Sequence, residues 1–439
     1  MDVLAIALLS TAMAGGPDGQ VQELQKLVYE LREEVAELKN NQNRGWVDEQ
    51  RAVEIRSLVD DVLSDADGRL NLQGSGAVSG YDKGAFLMSA DGNWKVKING
   101  QIQARWLLNE ADGQEDNRGT ELRRTKLNFS GHVIDPSWTY KVSGTWSRDD
   151  DNNSETENAY IAKALDGGRW FRVGNYKASF LRESAVSSSK QLGVERSMIN
   201  NAFSYGWTQG IEYGVKNDNM KLFAQYNDGP GRANSEAADL AFDAWIVRAE
   251  FRSGEATWKD FGSLTSKLGG AKGSLIGISY QTYDNEAGEV EYGNADAEGS
   301  TGWSLDASWR GDGWNIFAMM VETTGERTDG TEIESSGWLL QGGTMMNDNT
   351  ELFAQLQAGE IDGGGDMSCT RVGFNYWPTA GNNNIKWTTD VAWAGDTIED
   401  GGVGASPDWA GSGNGWRADN GLVGEDDQVL VRTQLQLLF

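Results

Sequence analysis

The sequence predicts an all-β fold, a transmembrane antiparallel up-and-down β-barrel of about sixteen strands, preceded by an N-terminal α-helical coiled coil. Three observations support this prediction. Apolar residues recur at heptad spacing near the N-terminus, and apolar and polar residues alternate from residue 94 onward. The connections between the alternating segments are long and short in turn.

The composition excludes several classes of protein. The 439 residues carry a net charge of −28, which argues against a nucleic-acid binder. No run of about 20 apolar residues exists, so a helical membrane protein is excluded. The single Cys and single His cannot supply a disulfide or a zinc cage, and His132 alone is too little for an activated nucleophile. We therefore expect no enzyme activity, no metal site and no cofactor.

Residues 1–14 are typical of a secretory signal peptide. Val3 to Leu9 form a short apolar core, and Ala12-Met13-Ala14 supplies the small residues before a cleavage site. The basic residues that usually precede such a core are missing, so we expect the signal to be incomplete. An uncleaved apolar tail is the alternative.

Residues 15–67 are predicted to form a coiled coil, and residues 68–93 a linker. A seam of apolar residues follows the three-and-four spacing of heptads, which implies several copies of the chain. The seam consists of Val21, Leu24, Val28, Leu31, Val35 and Leu38. An amphipathic helix packed on its own chain is the alternative.

The period changes to two from residue 94, and residues 94–439 are predicted to be the barrel. Between Trp94 and Leu108 one face carries Val96, Ile98 and Ile102, while the other is polar. Similar segments follow to the C-terminus, about sixteen in all. Short connections alternate with long ones, as in barrels with short turns at one end and long loops at the other. One exception, Ser253 to Gly273, is long where a short turn is due.

The width of such a barrel decides which face is outside. Inward side chains cannot fill a sixteen-stranded barrel, so the interior must be wet and the apolar face must meet lipid. Aromatic residues at the ends of the apolar faces are typical of membrane interfaces. They are Trp94, Trp106, Trp138, Trp146, Trp303, Trp309, Trp387, Trp393 and the terminal Phe439. Exposed Trp in a soluble sugar-binding β-protein is the alternative.

Residues 94–227 resemble the phosphate-selective porin (O and P type) family. The resemblance rests on the order of four segments: residues 97–103 (KINGQIQ), 123–127 (RRTKL), 173–180 (VGNYKASF), and 195–197 (ERS) before 201–203 (NAF). It fades after about residue 230. The resemblance implies a trimeric outer-membrane channel whose third long loop, residues 178–206 here, folds into the lumen.

Charge is distributed unevenly along the chain. Residues 94–177 carry +1, whereas residues 178–439 carry −21. Candidate pore-lining residues are Lys95, Lys97, Arg105, Arg124, Lys126 and Lys141 on the polar faces, and Arg182, Lys190 and Arg196 on the constriction loop. A basic stripe attracts anions. If these cations instead pair with carboxylates such as Asp306, Glu351 and Asp390, the channel is a general diffusion pore. The acidic residues of the C-terminal strands favour the general diffusion pore.

The sequence therefore predicts a porin of a Gram-negative-type outer membrane that passes small hydrophilic solutes and needs no cofactor. Its expected partners are outer-membrane lipid and two further copies of itself, with the coiled coil in the periplasm and cell wall as a further partner. The alternative is an anchor or adhesin whose coiled coil links the outer membrane to the cell wall. The acidic stretch Asp149 to Asp151 matches no EF-hand spacing and is interpreted as solvated surface.

Overall fold

The computed structural model describes residues 26, 28–30, 32–33, 76–112, 115–146, 154–230, 243–284, 297–327, 330–362, 365–396, 398, 409–410, 414–417 and 427–439. The chain divides into two units, Met1–Val78 and Ser79–Phe439. In the first unit the described residues between 26 and 33 are helical, and Lys26 and Glu30 form an ion pair one turn apart. The predicted signal peptide and all of the predicted seam except Val28 lie outside the described residues.

Two short strands, β1 (Ala77–Tyr81) and β2 (Ala85–Ser89), lie within the segment predicted as a linker. β2 pairs antiparallel with the start of the next strand, from Ala85 opposite Ile98 to Met88 opposite Lys95. No helical stretch in the described ranges has the length and hydropathy of a membrane crossing.

Sixteen further strands form a closed antiparallel barrel. They are β3 (Lys95–Glu110), β4 (Asn117–His132), β5 (Trp138–Trp146), β6 (Ser154–Ala164), β7 (Arg169–Lys177), β8 (Trp207–Lys216), β9 (Met220–Asn227), β10 (Asp243–Gly254), β11 (Gly273–Asp284), β12 (Ala297–Gly311), β13 (Trp314–Arg327), β14 (Glu332–Met345), β15 (Thr350–Ile361), β16 (Met367–Tyr376), β17 (Ile385–Ala394) and β18 (Gln428–Leu438). Each pairs with its neighbour in the chain.

The last strand closes the barrel on the first. β18 pairs with β3 from Val429 opposite Glu110 to Leu438 opposite Gln101. Beyond the strand, the carbonyl of Phe439 accepts a hydrogen bond from the Gly100 N–H at 2.8 Å. Closure leaves no strand edge unpaired in the ring, as a barrel in lipid requires. The predicted sixteen-stranded antiparallel barrel is confirmed.

The two ends of the barrel differ in their connections. We call the end with the start of β3 and the end of β18 the terminus end, and the other the loop end. The connections at the terminus end include the short turns 133–137, 165–168 and 217–219. The predicted exception, residues 255–272 between β10 and β11, is a long connection at the terminus end.

The exposure of side chains alternates along the strands. On β10, Trp245 and Val247 are exposed on the outside, while Ile246 and Arg248 between them are buried inside. The same alternation runs through β11 to β17, where the exposed residues are mostly apolar and the buried ones mostly polar. A water-soluble protein would show the reverse pattern, so the apolar face points outward as predicted.

Part of the inner wall is apolar as well. On β13 the inward residues Phe317, Met319 and Val321 are buried, although Ile316 and Met320 on the same strand face outward. Inward apolar residues need an apolar partner, because contact with water in the lumen would be unfavourable for them. That partner is the connection between β7 and β8.

Candidate functional site

Residues 178–206, which we call the lumen loop, fold into the barrel. The loop contains the helices α1 (Arg182–Ala185) and α2 (Met198–Phe203) and a 3-10 turn at Ser188–Lys190. Its Phe180, Leu192 and Ile199 belong to one buried apolar cluster with Phe317 and Leu339 of the inner wall. The loop therefore fills the half of the lumen bounded by β10 to β17. The inward fold that the family resemblance implied is present.

The wall binds the backbone of the lumen loop through polar side chains. Arg371, Asn375 and Lys386 donate to the carbonyls of Glu195, Leu192 and Gln191 at 2.7, 2.9 and 2.9 Å. The Asp390 carboxylate accepts from the Val194 N–H at 2.9 Å. Irregular backbone inside a barrel needs such partners, since unpaired buried peptide groups are costly. The loop is thus fixed to the wall along much of its length.

The turn before α2 is held by a buried carboxylate. Ser197 caps the helix by accepting from the Asn200 N–H at 2.9 Å. Glu183 accepts from both the N–H and the hydroxyl of Ser197. Burial raises the pKa of the Glu183 carboxyl, although these two hydrogen bonds act in the opposite direction.

A cavity of about 1240 Å³ occupies the other half of the lumen. Its lining includes Lys83 and Asn383 near the terminus end and Thr145 and Glu155 on the loop-end parts of β5 and β6. One cavity therefore extends along the barrel beside the lumen loop. Strands β3 to β8 form its wall, and the loop forms the opposite side.

The lining of this cavity is strongly basic. Among the residues that the structure describes, nine cationic side chains and three side-chain carboxylates line it. The cations are Lys83, Arg123, Arg124, Lys126, Lys141, Arg172, Lys177, Lys190 and Arg196, and the carboxylates are Glu155, Glu157 and Glu195. A channel wall of low dielectric concentrates the field of such a lining, and a basic lining attracts anions.

Three arginines converge on Glu195 of the lumen loop. The guanidinium groups of Arg105, Arg123 and Arg124 donate to its carboxylate at 2.8, 2.7 and 2.7 Å. Burial alone would raise the pKa of this carboxyl, but the three guanidinium groups hold it well below its usual range. Glu195 is therefore charged, and the cluster around it keeps a net positive charge.

A β-bulge allows two consecutive arginines to reach this carboxylate. Gln103 pairs with Arg124, but Ala104 pairs with Leu122, so Arg123 is the extra residue of the bulge. In a regular strand neighbouring side chains point to opposite faces, whereas a bulge re-aims one of them. Strict alternation therefore missed Arg123 as a lining residue, and only the adjacent Arg-Arg pair in the sequence hinted at it.

A tryptophan lies among the lysines of the cavity. The Lys126 and Lys177 ammonium groups lie 5.3 and 4.6 Å from the centre of the Trp207 ring. Lys126 also forms an ion pair with Glu157. Cation–π contacts hold both ammonium groups beside the ring.

The predicted pore residues divide into two groups. Arg124, Lys126, Lys141, Lys190 and Arg196 line the cavity. The other four do not line it. Arg105 is buried between Glu121 and Glu195, Arg182 is buried against Glu250 and the carbonyl of Phe261, Lys95 lies over the ring of Phe86, and Lys97 lies near the start of β3.

Of the predicted pore cations, Arg182 pairs with a carboxylate of the later strands, Glu250, but the predicted partners Asp306, Glu351 and Asp390 bind other groups. Asp306 pairs with Arg248, and Asp390 pairs with Arg432. Glu351 accepts from the Ser266 N–H and from Asn375. These three carboxylates lie on the wall behind the lumen loop and bind groups other than the cations that line the cavity.

Besides Arg123, lining residues that could not be identified from the alternation come from β7 and from the turn after β1. Arg172 and Lys177 are on β7, and Arg172 also pairs with Glu212 at 2.6 Å. Lys83 precedes β2 within the predicted linker. The basic residues of β7 were visible in the sequence, but the position of Lys83 depends on a fold of residues 77–89 that no periodic pattern revealed.

Most of the predicted interface aromatics are exposed on the outer surface. These are Trp94, Trp106, Trp146, Trp303, Trp309, Trp387, Trp393 and Phe439. Trp146 and Phe439 also contribute to the cavity lining. Trp138 is half-buried, because its ring packs edge-on against Phe171 with centroids 5.9 Å apart.

The first part of the barrel and the lumen loop match a known protein family. Residues 96–202 match the family model described as phosphate-selective porin O and P. The match covers a minority of the chain, from the start of the barrel to the end of the lumen loop. No curated protein matches the chain in sequence.

Solved porin structures share the fold. An anion-selective porin from Comamonas acidovorans has a TM-score of 0.55 at 12% identity, over 78% of this chain and 99% of that one. OmpT of Vibrio cholerae in its trimer form gives 0.53 at 10%, over 78% and 99%. The outer membrane channel DcaP of Acinetobacter baumannii gives 0.51 at 12%, over 82% and 100%. Identities this low establish a common barrel fold.

Proposed function

We propose that this protein is an outer-membrane porin, a water-filled channel for passive diffusion of small hydrophilic solutes and ions. The observation that carries the proposal is the polar cavity of about 1240 Å³ inside a closed barrel whose outer face is apolar. Only lipid suits such an outer face, and only water suits such an interior. The terminus end then faces the periplasm, as short turns do in outer-membrane barrels.

The channel prefers anions. In the described part of the chain nine cations and three side-chain carboxylates line the cavity, and this excess of positive charge supports the preference. The match to the phosphate-selective porin model and the likeness to an anion-selective porin are consistent with it. The solute itself is not specified by these contacts, so we propose a class, small inorganic and organic anions.

The protein assembles as a homotrimer in the outer membrane, with residues 15–67 as a periplasmic coiled coil that joins or spaces the copies. The heptad seam of the sequence supports an association of chains. The similar Vibrio cholerae barrel is described in a trimer form. The same coiled coil is a candidate contact with the cell wall.

Planar-bilayer recording tests the proposal. Purified protein should insert in conductance steps, in groups of three for a trimer, and a salt gradient should give a reversal potential on the anion side. A barrel that serves only as an anchor for an adhesin would have a closed lumen. Insertion without conductance, verified by protease protection of the reconstituted protein, would contradict the porin proposal.

A further inference from the structure

Residues 255–272, which we call the inner turn, are longer than the barrel needs. β10 and β11 pair in full register from Asp243 opposite Asp284 to Gly254 opposite Gly273. Two residues are enough to join antiparallel strands in such a register. Eighteen residues connect them here. The extra chain therefore serves something other than the connection.

The inner turn folds into the lumen from the terminus end. Ala256 and Phe261 form a buried apolar cluster with Leu275, an inward residue of β11. Leu264 belongs to the large apolar cluster that includes the lumen loop. These apolar side chains are buried, so the surface beneath the inner turn is not in contact with water.

Polar side chains of the inner wall hold the backbone of the inner turn. The Arg310 guanidinium of β12 donates to the carbonyls of Asp260, Ser263 and Thr265. The Ser266 N–H donates to Glu351 at 2.6 Å. One arginine that satisfies three carbonyls fixes a turn in one position, since each donor of its planar group has a set direction.

The inner turn also contacts the lumen loop directly. The Leu264 N–H donates to the carbonyl of Lys190 at 3.0 Å. The Arg182 guanidinium of α1 donates to the carbonyl of Phe261. Lys190 lines the cavity, whereas Arg182 lies behind it. The inner turn thus supports the lumen loop at the edge of the open path.

We propose that the inner turn is a selectivity element that seals the terminus end of the lumen behind the lumen loop and holds the loop in place. Solute is then confined to the basic cavity beside β3 to β8. Without the turn, a second path would open along the wall of β10 to β13. This inference rests on the proposed porin function, and wild-type conductance measured in parallel tests that function separately.

Shortening the turn tests the seal. Residues 255–272 are replaced by Asn-Gly, and single-channel conductance and reversal potential are compared with the wild type in planar bilayers. We expect conductance to rise by about half or more and the anion preference to weaken, because a second path lacks the basic lining. Conductance and reversal potential both equal to wild type would overturn the inference.

Thiol accessibility tests the seal without a deletion. In a Cys369→Ala background, Leu275→Cys lies under the inner turn, and Ser130→Cys lies on the cavity lining as the matched control. A charged, membrane-impermeant thiol reagent should modify Ser130→Cys at least tenfold faster than Leu275→Cys in reconstituted protein. Adding Arg310→Ala should speed the reaction of Leu275→Cys and leave that of Ser130→Cys unchanged. Equal rates at both positions without Arg310→Ala would refute the seal.

Discussion

The Glu195 carboxylate accepts two hydrogen bonds from Arg124, from Nη1 at 3.0 Å and from Nη2 at 2.7 Å. This pair joins the lumen loop to the wall of β4, across the boundary between the filled and the open half of the lumen. Arg105 and Arg123 bind the same carboxylate. The loop therefore supplies one negative charge to a cluster of three positive ones.

Glu195→Gln should increase the anion preference and lower stability. Loss of the carboxylate charge removes one shared counter-ion from three guanidinium groups, which costs about 3–5 kcal/mol in buried ion pairs. Reversal potentials should move further to the anion side, and the heat-induced unfolding temperature should fall. Glu155→Gln is the matched control, because Glu155 also lines the cavity but lies outside the arginine cluster. An unchanged reversal potential in Glu195→Gln would contradict the charge assignment.

The same ion pairs set the response to acid. The pKa of the Glu195 carboxyl lies well below its ordinary value of 4.5 in the folded chain. A depressed pKa gives stability that is present above the ordinary value and is lost only as pH falls through the depressed one. We expect no loss of stability from this cluster between pH 7 and about pH 5. Glu195→Gln should remove its share of the decline at lower pH, and identical acid unfolding of the variant and the wild type would exclude this role.

Arg124→Glu combined with Lys126→Glu should shift selectivity toward cations. Both side chains line the cavity, and the double change alters its lining by four charges. Lys272→Glu changes an exposed lysine outside the lining and should leave the reversal potential close to wild type. Screening of exposed charges over roughly 10 Å at 0.1 M salt makes the difference largest in dilute electrolyte. Equal shifts of the reversal potential in the double variant and in Lys272→Glu would mean that the overall charge of the protein, and not the charge of the cavity lining, sets selectivity.

Arginine on the outer face should destabilise the barrel according to depth. Leu305 lies between Trp303 and Trp309 on β12 and is exposed outward. Leu305→Arg should cost about 2–4 kcal/mol in lipid, whereas Thr301→Arg, beyond Trp303 on the same strand, should cost about 0–1 kcal/mol. Urea unfolding in lipid vesicles measures both. Similar costs for the two variants would show that β12 does not face a bilayer.

Gly100 provides the space for the terminal aromatic ring. A Cβ on Gly100 would overlap the ring of Phe439 and lie 2.9 Å from the carbonyl of Lys126. Gly100→Ala should therefore cost about 1–3 kcal/mol, as overpacking does, and lower the fraction of barrels that resist unfolding by detergent and heat. Gly119→Ala on β4, where a Cβ meets nothing within 4 Å, is the control. Equal heat resistance of the two variants would exclude this packing role.

The barrel could be predicted from the sequence because the alternation of apolar and polar residues is visible within each single strand. Alternation along one strand, such as β10, follows from lipid on one side and polar contacts on the other, and each strand carries its own evidence. The resemblance at residues 97–203 added the inward loop. Apart from a few helical residues between 26 and 33, the predicted coiled coil lies outside the described residues, and it stays a prediction.

The sequence could not predict contacts that depend on distant segments. Phe317 and Met319 can be apolar on the inner face because the lumen loop covers them. This loop lies more than a hundred residues away in the chain. Arg105 lies on the polar face of β3 as expected, but it is buried between Glu121 and Glu195. Pairing with Asp306 and Asp390 was wrong because the arginines of their own wall lie closer.

The orientation of the strands is tested most directly by thiol labelling of neighbouring residues in reconstituted protein. In a Cys369→Ala background, single cysteines replace Asn128 and Lys141, which line the cavity, and Phe129 and Val142, which are exposed outward. The orientation described above predicts that a charged, membrane-impermeant reagent modifies the first pair and reduces conductance, while the second pair stays unmodified. Modification of Phe129→Cys and Val142→Cys, with Asn128→Cys and Lys141→Cys protected, would contradict it.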